Sequence, residues 1–98
     1  MTDPVTLALP WYQRSDYQAL LTLFSDPDKM PSTFDAWLAH AEGVEKQLRA
    51  AGFAVVRVWL RPGPFKAWCT ERGMRPDQRA RFSFVNEAAR EDRRPPEA

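Results

Sequence analysis

The run FAVVRVWL, residues 53–60, is the tightest constraint on the fold. Its β-branched and aromatic content makes it a β-strand. A strand cannot stand alone, because each backbone N–H and C=O taken out of water needs a partner. Two partners are available: VTLAL at residues 5–9, an edge strand that Pro10 would interrupt, or the same strand of a second subunit. Alternation along the run puts Ala54, Val56, Val58 and Leu60 on one face, wholly apolar and expected to lie against helices. Phe53, Val55, Arg57 and Trp59 share the other, which the arginine marks as partly covered.

Most of the remaining chain reads as helix. Tyr17, Leu20, Leu21 and Phe24 fall on one face of a helix that Ser15 can cap, with Asp16 at its positive end. SDPDKMPS ends it, since the residue before each proline is pushed out of helical geometry. Ser32 or Thr33 starts a second helix, on which Phe34, Trp37, Leu38, Ala41, Val44 and Leu48 keep the spacing for four turns up to a C-cap at Gly52. Glu45 falls inside that apolar arc; it either reaches the wet edge of the core or pairs with an arginine from later in the chain. RPGP is a turn, with Pro64 at the start of a third helix carrying Phe65, Trp68 and Cys69 on one face. Gly73 ends it, and Pro76 and Asp77 open a fourth whose inner stripe is Phe82, Val85 and Ala89, with Phe84 and Ala88 alongside.

The order is β-α-α-β-α-α: a small, mostly helical α+β domain with a short two-stranded sheet or intersubunit strand pairing. Its 98 residues suit one domain, residues 1–90, and the charged, proline-containing segment 91–98 is expected to be disordered. One cysteine excludes an internal disulfide and suits a reducing compartment. The first residues lack a signal-peptide pattern and no apolar run is long enough to span a membrane, so a cytoplasmic protein is expected.

Few chemistries are served by these residues. A cysteine nucleophile needs a histidine or a helix N-terminus beside it, whereas Cys69 sits mid-helix on an inward face and the one histidine, His40, is on another helix. Zinc asks for about four Cys or His ligands, and the chain has one of each. No phosphate loop, dinucleotide fingerprint or nucleophile elbow occurs, and the prolines of RPGPFK remove the amides a phosphate would need. We therefore assign no catalytic residue, metal or cofactor; an enzyme built from scattered carboxylates and His40 stays as a third reading.

Charge is unevenly spread. Residues 1–56 carry a net −3, residues 57–81 a net +5 and residues 82–98 a net −1. Either the two halves attract each other in the fold, or the basic block awaits an anionic partner. Cys69, Gly73 and Met74 match the turn of a helix-turn-helix, and Arg72, Arg75, Arg79 and Arg81 could then meet phosphates or bases. Arg79 breaks the template where an apolar residue belongs, Glu71 and Asp77 flank the turn, and the isoelectric point of about 7.9 is far from strongly basic.

LPWY, DPDKMPSTFDAW, AGFAVVRV and FKAWCTERG followed by ARFSF together resemble a group of small uncharacterised bacterial proteins, over roughly residues 9–90. The resemblance implies a bacterial, single-domain, stand-alone protein and brings no activity. The favoured function is a non-enzymatic interaction or adaptor protein, possible as a homodimer through FAVVRVWL, with Trp11, Arg57, Trp59 and Arg61 at the interface. A nucleic-acid-binding regulator using the 65–90 hairpin is the alternative.

Overall fold

The strand's partner lies in the same chain. In the computed structural model, which describes residues 3–92, β1 (Thr6–Trp11) and β2 (Ala54–Trp59) pair in parallel, Thr6 opposite Ala54 and Trp11 opposite Trp59. Pairing with a second subunit is thus not what satisfies FAVVRVWL. Parallel neighbours need a long crossover, here α1 (Tyr17–Leu23) and α2 (Phe34–Ala50); α3 (Pro62–Arg72) and α4 (Gln78–Asp92) follow β2. The protein is a small, mostly helical α+β fold in the expected order. Helix α4 runs two residues into the segment expected to be disordered, and residues 93–98 lie outside the described ones.

β1 does not stop at Pro10. The Ala54 amide donates to the Val5 carbonyl at 3.0 Å and the Leu60 amide to the Trp11 carbonyl at 2.9 Å. The odd-numbered residues of β1 therefore turn their backbone groups toward β2, and the even-numbered ones turn theirs away. Pro10 is even, so its missing N–H falls on the outer edge and the ladder loses nothing.

Local chemistry sets most helix ends. Thr33 accepts the Ala36 amide at 3.1 Å. Gly52 and Gly73 take φ of 96° and 63°, left-handed values that let the next amide bond back into the helix, Phe53 to Leu48 and Met74 to Cys69, each at 3.0 Å. Two starts differ from expectation. Ser15 caps nothing: residues 14–16 form one 3₁₀ turn, and the Asp16 carboxylate is held by Arg61 at 2.7 Å. Helix α3 begins at Pro62, not Pro64, because first-turn amides have no partner four residues back and both prolines fit there.

The sheet is covered on both faces. Leu7, Leu9, Trp11, Val55 and Arg57 share the face that α2 meets through Glu45. Thr6, Ala8, Val56 and Val58 share the face toward α4. The interior is a chain of rings: Tyr12 lies 4.7 Å from Trp37 and 5.9 Å from Phe24, and Phe65 stands edge-on to both Phe24 and Phe84.

One side chain inside that interior is an arginine. Arg81 is 4% exposed, bonds Asp26 at 2.7 and 3.2 Å, and lies 4.4 Å from the centre of the Phe24 ring. Asp26 also accepts the Gln78 amide at 3.2 Å, so the loop after α1 is tied to the start of α4. With Arg81 facing inward, Phe82 is turned about 100° around the helix and is 37% exposed. The inner stripe is thus Arg81, Val85 and Ala89, and Phe84 rather than Phe82 packs with Phe65 and Trp68. Asp26→Ala strands a buried guanidinium and is expected to cost about 3–5 kcal/mol. An Asp26→Leu/Arg81→Met double variant should lose much less, both read from chemical denaturation midpoints.

Candidate functional site

Most residues nominated from sequence are bound within the molecule. Trp11 is buried, its ring edge-on to Trp37 at 5.2 Å, so it belongs to the core. Arg57 lies 4.0 Å over that ring and donates two 2.8 Å bonds to Glu45. This pairing, with an arginine from the basic half, decides how Glu45 is accommodated in the apolar arc of α2. Hydrogen bonds from Arg57 hold the Glu45 carboxyl below its ordinary range, against the opposing effect of burial. Arg61 is taken by Asp16 at 2.7 and 3.4 Å. Arg57 and Arg61 stay about half exposed in these pairs, and Trp59 is 57% exposed.

The four arginines of the α3–α4 hairpin divide in two. Arg72 bonds Glu87 at 2.9 Å and stacks on Trp68 at 4.4 Å, while the Trp68 indole donates to the same carboxylate at 3.3 Å. Arg81 is the buried partner of Asp26 and cannot meet a nucleic acid. Arg75 and Arg79 are exposed. The hairpin exists and turns at Gly73, yet half the side chains that would make it a DNA reader are committed elsewhere.

Cys69 is buried, and desolvation first, then the nearby Asp77 charge, raises its pKa. Among the described residues no three His, Cys, Asp or Glu side chains gather as a metal site would require. No described helix is long and apolar enough to cross a membrane.

What sequence reasoning missed is the outer edge of β1. An open groove of about 160 Å³ is lined by Leu9 and Trp11 from one face of the strand, by Pro10 from the other, by His40 and Val44 from α2, and by Phe82 from α4. Residues from both faces of a strand can meet in one hollow only around its edge. A second hollow of about 180 Å³ shares Pro10, Trp37, His40 and Phe82 and continues past Tyr12 to Lys29 and Gln78. A third, of about 220 Å³, lies beside Thr6 and Ala8 against Asn86 and Ala89. Among the described residues no side chain bonds the outward N–H and C=O of Thr6 and Ala8 or the C=O of Pro10. The one legible signal was Pro10 itself, a residue that marks an edge strand.

No family model, curated protein or solved structure matches this chain.

Two measurements test the electrostatics and the thiol. Asp26 and Glu45 have folded pKa values below their ordinary ones. The unfolded chain therefore binds more protons in acid, and the stability these groups add is complete above pH about 5 and lost as pH falls through about 4 and below. Glu45→Gln should flatten that acid limb of the denaturation-midpoint profile. A thiol reagent at neutral pH should label native Cys69 at least a hundredfold more slowly than the urea-unfolded chain.

Proposed function

We propose that this protein is a non-enzymatic binding module that takes an extended segment of another protein as a third strand beside β1. The observation that carries the reading is the outer edge of β1, whose backbone groups at Thr6, Ala8 and Pro10 have no hydrogen-bond partner among the described residues and which lies in a groove walled by α2 and α4, with Ala8 7% exposed. An unpaired edge offers main-chain donors and acceptors to any extended chain, and flanking pockets select its side chains. Pro10 shortens the ladder: the outward groups are those of Thr6 and Ala8 and the Pro10 carbonyl, enough for one short segment and too few for open-ended sheet growth. Val44, Leu9 and Phe82 favour apolar side chains in that segment.

A second copy is the weaker occupant. The demand for an intersubunit strand has gone, since β1 satisfies β2. A two-fold pairing would also bring together two identical edges, each carrying the exposed Lys29 and Arg79 close by. The reduced cysteine supports a cytoplasmic setting, and the resemblance to small bacterial proteins supports a bacterial one.

Selection of a random-dodecapeptide phage library on the intact protein tests this. Selected peptides should alternate apolar residues, slow exchange of the Ala8 amide at least tenfold, and bind at least tenfold more weakly to Phe82→Glu and Val44→Glu. Both substitutions sit on the groove wall, and circular dichroism checks that each variant is folded. Binders that leave Ala8 exchange and both variants unaffected would overturn the reading. So would a dimer in light scattering whose interface covers Ala8.

A further inference from the structure

Beyond the end of β1 the groove opens into a hollow of about 400 Å³ between the 25–29 loop and the start of α4. Lys29 and Gln78 line both this basin and the hollow that contains Pro10 and Phe82, so one depression runs from the apolar groove into the basin. Lys29, Arg75 and Arg79 all face the basin and all are exposed.

Its two acids are already used. Asp26 gives both oxygens to Arg81 and one also to the Gln78 amide. Asp77 caps α4 through the Ala80 amide at 3.0 Å. Arg14, Arg49, Arg57, Arg61, Arg72 and Arg81 each hold a carboxylate within 4 Å. Among the described residues, no such pair includes Lys29, Arg75 or Arg79. A chain that pairs its other interior and boundary arginines thus leaves three cations together at one end of its groove. Complementary charge placed there would steer a partner and fix its register.

We infer that the segment added to β1 carries a cluster of Asp or Glu where it leaves the strand past Trp11, seated among Lys29, Arg75 and Arg79. This rests on the strand-addition reading above. The partner is accordingly an extended protein segment with a short apolar stretch for the groove and an adjoining acidic end for the basin. Carboxylates on the segment would supply to Arg75 and Arg79 the kind of partner that Glu45 and Asp26 supply to Arg57 and Arg81.

The test uses the tightest phage-selected dodecapeptide, synthesised with three Glu, three Gln or three phosphoserine residues appended at either terminus. At low ionic strength one Glu-extended peptide should bind at least tenfold tighter than its Gln counterpart. That advantage should vanish in about 0.5 M salt, where charges more than a few ångströms apart are screened. Arg75→Ala/Arg79→Ala should abolish it while leaving the Gln-extended affinity within twofold. Equal affinity of Glu and Gln peptides, both protecting Ala8, overturns the acidic basin and leaves the groove reading standing. A gain from phosphoserine alone overturns it in favour of a phosphate site. Duplex DNA or single-stranded RNA that displaces the Glu peptide, and loses affinity in the same double variant, overturns it in favour of nucleic acid. Failure to select any peptide that protects Ala8 overturns the groove and the basin together.

Discussion

The buried pair of Asp26 and Arg81 sets the arrangement on which the rest depends. A guanidinium at 4% exposure is tolerable only because both its bonds to the carboxylate are made and the Phe24 ring lies against it. The pair joins residues 55 apart, and the Gln78 amide and the Ser25–Pro76 backbone bond reinforce the same junction. It therefore fixes both where α4 begins and which way it is rotated. Rotation is the part with consequences outside the core. An inward residue 81 requires an outward residue 82, and Phe82 becomes one wall of the groove along β1.

Two-stranded sheets have two open edges, and the two edges here are treated differently. On β2 the Val55 carbonyl accepts from Arg49 at 3.2 Å, and Arg57 is held down on Trp11 by Glu45. Arg49 thus covers part of that edge with a charged side chain, as is usual for an edge exposed to solvent. On β1, Pro10 removes one donor and leaves the carbonyls. The walls of α2 and α4 then stand on either side, with Ala8 7% exposed between them. An edge shortened by proline yet flanked by Val44 and Phe82 is better suited to admitting one short strand than to excluding all.

The elements were legible because each rests on local chemistry. Helix α2 follows from its apolar spacing, Gly52 and Thr33, and β2 from its β-branched run; both strand partners could be named, and the intramolecular one is found. The rotation of α4 was not legible. Phe82, Val85 and Ala89 make a proper helical stripe, and so do Arg81, Val85 and Ala89. Hydropathy chooses the first, whereas the structure takes the second because Asp26, in a turn 55 residues away, neutralises Arg81. The burial of Trp11, nominated for the interface, was not legible for a related reason. Its burial depends on Trp37 and Arg57 closing over it, contacts that alternation within one strand cannot foresee. The groove was invisible for the same reason, since its walls come from three elements far apart in sequence.

The uneven charge along the chain finds its explanation in the same contacts. Arg57, Arg61 and Arg81 of the basic block reach back to Glu45, Asp16 and Asp26 of the acidic half, and Arg72 reaches forward to Glu87. Most of the asymmetry is therefore an internal attraction, folded into the molecule. What it leaves behind is local. Arg75 and Arg79 lie next to the Asp26–Arg81 junction, whose carboxylate is already saturated, and Lys29 approaches from the other side. The interaction that holds α4 in place thus consumes one of the basin's two acids, and the other, Asp77, caps α4. A net charge of +1 does not reveal this, because a field at one end of a groove depends on which charges are paired and not on their sum.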